Sequence, residues 1–328
     1  MIPGSTGAIT ILTDPIPTAS QYFQERLKKR VRPLLRRVDG KPPLQKPGYG
    51  GHFAVTRSLI EGLQKANIPF VYNPQRERDC TERVLVLAGI KALEQAISLR
   101  KKGIIKKLAA GPNIVTYPGD NPEVVGSPCI DRYIVNSGWI KDLYVEDMPM
   151  LESKLVIWPA GVDEQRWKPA GLPKNPRSML LYEKSSNRAV IEDCQKIARE
   201  AGFEVTVLKY GNYLPAQYKT LLDQNSVMLY FTETESQGIA LSEAWSMNVP
   251  SIVWNPGVHY WQGHNIAASS APYLTEETGA FFRDPGDFRQ VLQRIAAGDF
   301  LFQPRQWVLK HMTDAVVAEQ LIQSIDFG

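Results

Sequence analysis

Glu235 and Glu243 bracket the stretch ESQGIALSE, which follows the apolar run Val227-Met228-Leu229-Tyr230-Phe231. The run predicts a strand, residues 232–237 a polar loop, and Gly238 the start of a helix. A helix N-terminus carries unpaired backbone N–H groups and partial positive charge, so such a strand–loop–helix unit suits a phosphate. Gly238 lets a ligand come close to the backbone. Phosphate repels a carboxylate placed beside it. Glu243, one turn into the helix on the stripe of Ala240 and Met247, and Glu235, in the loop, therefore read as acceptors for sugar hydroxyls. Each charge-assisted hydrogen bond of that kind is worth about 1.5–3 kcal/mol. The alternative for Glu243 is an acid that only favours the helix dipole.

The elements that must hold these groups alternate between short apolar runs and stretches of helical period. Ile9 to Leu12, Phe70 to Tyr72, Val84 to Leu87, Asn113 to Val115, Tyr133 to Val135 and Leu155 to Ile157 read as one series of buried strands. Ser178 to Tyr182, Val205 to Leu208, Val227 to Phe231 and Ser251 to Trp254 read as a second. Continuous apolar strands separated by helices predict two parallel sheets built from βαβ units. The junction is expected at Pro159-Ala160-Gly161-Val162-Asp163 and the Pro/Lys/Gly-rich stretch from Lys168 to Pro176. Val317, Leu321 and Ile325 recur at helical spacing and predict a final helix.

Around this frame lie further candidates. Gly48, Gly50 and Gly51, followed by helical pattern through Leu59 and Leu63, form either a second anion-approaching turn or an ordinary one. His52 directly after them is either a sugar or diphosphate contact or a packed or solvated loop histidine. The aromatic stretch WNPGVHYWQGHN, Trp254 to Asn265, reads as a loop near sugar or acceptor.

The segment VMLYFTETESQGIALSEAWSMNVPSIVW, Val227 to Trp254, resembles the Glu-x7-Glu signature of retaining GT-B glycosyltransferases of the "group 1" type. VNSGWIKDLY, WPAGVDEQRWKP, GYGGHFAVTRSLIEGL and SAPYLTEETGAFFRDPGDFRQVL are similar to other passages of that family. The resemblance implies an α/β fold, GT-B, with two Rossmann-like parallel-sheet domains facing across a cleft. Its divisions here are 1–165 on the acceptor side, 166–305 on the nucleotide-sugar side, and a helix over 306–328 that packs either on the second domain or back on the first. It further implies Glu235 on the transferred sugar, Gln237, Gly238, Ile239 and Ala240 at the sugar and diphosphate, and Glu243 on the ribose. Gly50, Gly51 and His52 then face the donor across the cleft, and Tyr210, Gly211 or Tyr213 of KYGNY line the base, with packed tyrosines as the alternative. The family's cations after the first strand of the second domain correspond to Lys184 and Arg188 in LLYEKSSNR, in the opposite order and with Glu183 where glycine is usual. Either cation is suited to the charge that grows on a departing diphosphate; two solvated basic residues at a helix start are the alternative.

The expected function is sugar transfer from a nucleotide-sugar donor to a hydroxyl of a saccharide or lipid-linked acceptor, with retention and with no metal or other cofactor. A non-catalytic sugar-nucleotide-binding scaffold, and an epimerase or hydrolase on the same fold, are the rivals. No DxD pair, GxGxxG, GxxxxGK[ST] or GxSxG occurs, and His259 and His264 lack the register of a metal site.

At 328 residues with 43% hydrophobic and 22% charged residues, the chain fits two globular domains. A net charge of +4 is too mild to imply nucleic acid but suits an anionic ligand. Cys80, Cys129 and Cys194 are widely spaced, which fits a reducing cytoplasm, and neither a signal peptide nor a bilayer-length apolar run is expected. Residues 21–38 are basic and amphipathic, with Phe23, Leu27, Val31 and Leu34 on one face. They read either as a peripheral membrane contact, with RKKGIIKK adding charge, or as a helix with a basic solvent face.

Overall fold

The computed structural model describes residues 7–16, 51–185 and 187–325, without the side chains of Gly51, His52 and His264. The basic segment 21–38, Gly48 and Gly50 lie outside the described residues.

The first sheet contains β1 (Ile9–Leu12), β2 (Phe70–Tyr72), β3 (Arg83–Ala88), β4 (Lys107–Asn113), β5 (Arg132–Val135) and β6 (Leu155–Ile157) in the order β2-β1-β3-β4-β5-β6. All neighbouring pairs are parallel. The intervening helices are α1 (Gly51–Lys65), α2 (Ile90–Lys101), the single turn α3 (Pro122–Val125) and α4 (Gly138–Asp147). The second sheet begins with β7 (Ser178–Glu183), β8 (Glu204–Lys209), β9 (Val227–Phe231) and β10 (Ser251–Trp254), connected by α5 (Arg188–Glu200), α6 (Pro215–Gln224) and α7 (Ile239–Ser246). An antiparallel hairpin, β11 (Val258–Trp261) with β12 (His264–Ala267), precedes the edge strand β13 (Gly279–Phe282). The order is β13-β10-β9-β7-β8, again parallel. Helices α8 (Pro285–Ala297), α9 (Pro304–His311) and α10 (Asp314–Ser324) complete the described residues.

Three sequence expectations need correction. The strand expected at 113–115 is β4, which ends at Asn113. Ala109, Ala110 and Gly111 have weak strand propensity, but a Cβ at Gly111 would lie 2.2 Å from the Ile134 carbonyl oxygen, so small residues are what this crowded centre admits. The stretch expected as an aromatic loop is the hairpin, turned by Gln262 and Gly263 at φ of 46° and 89°. Strand β8, expected as buried, is an edge with Val207 exposed.

Residues 158–177 join the two sheets and are pinned to both. The Trp158 indole donates to the Val317 carbonyl at 2.8 Å, and Ser58 of α1 accepts from the Gly161 amide at 2.6 Å. From the other side, the Gln237 amide accepts from Ala160 N at 2.8 Å and donates to Ala160 O at 2.5 Å. A buried peptide group without such partners would carry its full desolvation cost. One core cluster consequently runs through the joint, from Leu59 and Ile134 through Trp158 and Trp167 to Tyr182, Trp245 and Leu321.

Helix α10 lies along α1 and returns the chain's end to the first sheet's side. Asp314, buried at its start, accepts from both terminal nitrogens of Arg57 at 2.7 and 3.2 Å, with Lys65 at 3.6 Å. Burial pushes the Asp314 carboxyl up from its ordinary range while Arg57 pulls it back. Close approach of the helices depends on Gly62, where a Cβ would meet the Asp314 carbonyl oxygen at 2.1 Å and Ala318 Cβ at 2.8 Å. Among the described residues, no helix is long and apolar enough to cross a membrane.

Two stability measurements follow from these contacts. Gly62→Ala is expected to lower the free energy of unfolding by about 1–3 kcal/mol through overpacking, read from the urea midpoint. Gln237→Leu strands the N–H and C=O of Ala160 and is expected to cost roughly 2–4 kcal/mol, with faster hydrogen exchange at the Ala160 amide.

Candidate active site

The carboxyl ends of the two parallel sheets face each other, the position at which open α/β sheets receive ligands. A cavity of about 270 Å³ lies between them. From the second sheet's side it is lined by Lys184, Tyr182, Tyr210, Tyr213, Tyr230, the loop Glu235–Ala240 and Glu243; from the first, by Ala54, Val55, Asn113 and Asn136.

The floor on the second sheet's side is the start of α7. Gly238 takes the left-handed conformation (φ 85°, ψ 58°) as its N-cap, a geometry costly for any residue with a Cβ, and no side chain caps the helix. The first intrahelical bonds run from Leu241 and Ser242 to Gly238 O, so the amides of Ile239 and Ala240 have no acceptor within the helix. The local sequence explains this end: β9 is aliphatic and aromatic throughout, and glycine ends the polar loop before Ile239-Ala240-Leu241.

Glu235 sits above that end. One carboxylate oxygen accepts from Lys184 Nζ and from the Tyr230 hydroxyl, each at 2.6 Å. Its main chain is held by both domains. Glu235 N donates to Ser269 O at 2.9 Å, and the indole of Trp139, from α4, donates to Glu235 O at 2.8 Å. Lys184 also lies 4.9 Å from the centre of the Tyr210 ring, a cation–π distance. Glu243, buried, lies in the α7 wall of the cavity, and the Tyr218 hydroxyl donates nearby to Ala240 O at 2.7 Å.

Tyrosines form the remaining wall. Tyr182 and Tyr230 are partners in register across β7 and β9 and stack at 5.0 Å and 17°. The Tyr182 and Tyr213 hydroxyls share a hydrogen bond of 2.6 Å. Burial, then the Glu235 carboxylate, pushes the Tyr230 phenol far up; burial and neighbouring phenols do the same for Tyr182. Tyr213 is pushed up to about 12, chiefly by burial. These phenols stay neutral at physiological pH and act as donors and packing surface.

The structure thus brings together Lys184, Tyr210, Glu235, Gln237, Gly238, Ile239, Ala240 and Glu243. Gln237 lines the cavity with its amide engaged by Ala160. Arg188 is not brought there. It opens α5, exposed, with its guanidinium 2.7 Å from Glu183. This explains the acid found before Lys184: Glu183 is nearly buried and takes Arg188 as its counterion. Gly211 turns the chain after β8 at φ 80° and does not line the cavity. Gly51 and His52 begin α1, close in sequence to the lining residues Ala54 and Val55, while Gly50 lies outside the described residues. Sequence reasoning missed Tyr182, Tyr230, Asn113, Asn136 and Trp139. For the two tyrosines a signal existed, since a phenol inside an otherwise apolar central strand needs a polar partner. No group of three His, Cys, Asp or Glu side chains able to hold a metal ion occurs among the described residues.

No protein-family model matches the chain, and no curated protein matches it by sequence. Solved structures do match in fold. The lipopolysaccharide outer core galactosyltransferase WaaB, in apo form, aligns with a TM-score of 0.58 over 97% of this chain and 99% of its own, at 13% identity. HepE from Anabaena, solved with UDP and glucose, aligns with a TM-score of 0.54 over 98% and 99%, at 10% identity. A glycosyltransferase from Rickettsia africae gives 0.54 over 97% of each chain, at 11% identity. At such identities the likeness is one of fold, and the chain is an α/β protein of GT-B architecture, two Rossmann-like parallel-sheet domains facing across a cleft.

Proposed function

We propose that the chain is a glycosyltransferase that moves a sugar from a nucleoside-diphosphate sugar to a hydroxyl acceptor, with retention of configuration and without a metal. The observation that carries this reading is the uncapped N-terminus of α7 opening on an interdomain cavity, with Lys184 and Glu235 at its mouth and Glu243 beside it. It is supported by the fold shared with structures such as HepE, which is solved with UDP and glucose.

In this reading the diphosphate rests on the amides of Ile239 and Ala240, where helix-end charge and unpaired donors coincide. Lys184 leaves Glu235 for the diphosphate oxygens, and Glu235 then accepts from hydroxyls of the transferred sugar. Glu243 accepts from the ribose, and Tyr210 and Tyr213 flank the base. As the bond between the anomeric carbon and the diphosphate oxygen breaks, the electron pair leaves with the diphosphate. Lys184 and the helix end stabilise that growing charge, and the acceptor oxygen bonds to the oxocarbenium-like carbon as its hydroxyl proton passes to the departing diphosphate oxygen. The acceptor is a saccharide or a lipid-linked sugar, reached in the cytoplasm, with the basic residues of 21–38 resting on an anionic membrane surface.

One observation favours a second reading. Arg188 is engaged by Glu183 away from the cavity, which leaves Lys184 as the cation lining it among the described residues. A sugar-nucleotide-binding protein without turnover would need no more.

Two measurements decide. A nucleoside diphosphate present at about a hundred times its Kd should add about 2.7 kcal/mol of stability in a thermal-shift screen, and Glu243→Ala should weaken that ligand about tenfold. In a donor-plus-acceptor assay, Lys184→Ala should lower kcat by about 10²–10³-fold, the size expected for losing one group aimed at developing charge. Glu235→Gln, which keeps an acceptor for the buried Tyr230 hydroxyl, should abolish transfer with the unfolding transition intact. Stabilisation by nucleotide with no turnover from any donor and acceptor pair would instead establish the binding protein.

A further inference from the structure

Lys184 stands on the loop after β7, and a lysine head on a flexible four-carbon stem reaches a fixed place only if its main chain is held. The amides of Lys184 and Ser185 both donate to Phe231 O, at 2.9 and 3.1 Å, which ties this loop to the end of β9. Two side-chain contacts flank the lysine. Before it, Glu183 pairs with Arg188, but that guanidinium is 58% exposed and solvent screens the pair, so it holds the loop weakly. After it, Ser185 is buried, and its Oγ donates to Glu233 Oε1 at 2.6 Å and accepts from Asn187 N at 3.0 Å.

The other end of that bond is anchored as well. Glu233 lies two residues before Glu235 in the loop between β9 and α7. The buried Ser270 hydroxyl shares its proton between Thr232 O at 2.9 Å and Glu233 O at 3.0 Å, and Ser270 N donates to Asn255 Oδ1 at 3.1 Å. The loop of the acid is therefore a firm support for the loop of the cation. Two side-chain bonds join the two loops, Lys184 to Glu235 and Ser185 to Glu233. In the proposed reaction Lys184 turns from Glu235 to the diphosphate, and the first bond is lost at the moment when placement of the cation matters most. The second uses neither reacting group and persists. Neither Ser185 nor Glu233 lines the cavity, so whatever they contribute passes through Lys184.

We infer that Ser185 and Glu233 are positioning residues for Lys184: their hydrogen bond keeps the lysine's main chain in register with the Glu235 loop while its head moves from the carboxylate to the departing diphosphate. This rests on the sugar-transfer reading of the same cavity. Without the bond the ammonium still enters the cavity, but from a loop free to shift, and the growing charge loses part of a stabilisation that depends on fixed geometry.

The test is a double-mutant cycle on transfer, run with whichever of UDP-, GDP- and ADP-glucose and whichever acceptor the wild-type chain uses best, under single-turnover conditions so that slow variants remain measurable. Ser185→Ala and Glu233→Ala should each lower kcat about tenfold with the donor KM within about twofold, the pattern of a loss felt in the transition state. Glu233 is exposed, so its alanine variant keeps the test open should Ser185→Ala fold poorly. Glu233→Gln keeps an acceptor for Ser185 and should retain kcat within about threefold. The deciding readout is the Lys184→Ala background: there each alanine change should alter the remaining kcat by less than about twofold, because the group being positioned is gone. A merely structural role would lower kcat by the same factor with and without Lys184, and that result, or an unchanged kcat in both single variants, would overturn the inference while leaving the transferase reading intact. Absence of turnover by the wild-type chain would overturn both.

Discussion

A carboxylate drawn out of water needs a cation or strong donors, and Glu235 has both on a single oxygen, Lys184 and Tyr230. That cluster fixes the rest of the site. Lys184 follows β7 and Tyr230 lies within β9, so two neighbouring strands of the second sheet set the height of Glu235 over the start of α7. Tyr230 is itself fixed by stacking on Tyr182, whose hydroxyl is tied to Tyr213. A loop that would otherwise be free to move is thereby held from below by strands that cannot shift without breaking the sheet.

The same pair gives the proposed reaction an economical electrostatic logic. Lys184 cannot satisfy Glu235 and a diphosphate equally well, so under that proposal ligand entry exchanges one partner for another. A diphosphate carries more negative charge than a carboxylate and presents it beside the helix end, which favours the exchange. Glu235, once released, keeps Tyr230 as a donor and gains acceptor capacity for sugar hydroxyls. The neutral phenols around it matter here. Had any of them ionised, the wall would repel the diphosphate; burial keeps them protonated.

The loop is also held from across the cleft, which ties site geometry to domain geometry. Trp139 reaches from the first domain to the Glu235 carbonyl, and Gln237 binds the joining segment at Ala160. The hairpin makes a further bridge. Tyr117 meets His259 Nε2 at 3.1 Å and stacks on Trp261 at 5.0 Å, and from the segment after the hairpin the Tyr273 hydroxyl donates to Asn136 O at 2.5 Å. Strand alternation explains why the hairpin does this: His259 and Trp261 share the face turned to the first domain, and Tyr260, between them, is exposed. Any rotation of one domain against the other must therefore alter the support of Glu235 and Gln237, so the two walls of the cavity are positioned together.

Most of the frame was legible because the information is local. The aliphatic strand β9, the glycine at 238 and the helix behind them follow from adjacent residues, as do the spacing of Val317 and Leu321 and the burial of both. Strand β4 was misplaced because its small residues suit a crowded centre that only the neighbouring strand creates. Within the site, what escaped the sequence is what depends on distant partners. Lys184 and Glu235 are 51 positions apart, Ala160 and Gln237 77, and Trp139 and Glu235 96. Arg188 looked equivalent to Lys184 by type and place, and only the folded position of Glu183 separates a counterion from a cavity residue. Gln237 shows the same limit: it lines the cavity, but that both ends of its side-chain amide are bound by the joining segment at Ala160 is set by a residue 77 positions away. Residue type and local spacing thus name the groups available for chemistry, and long-range pairing decides which of them are left free to perform it.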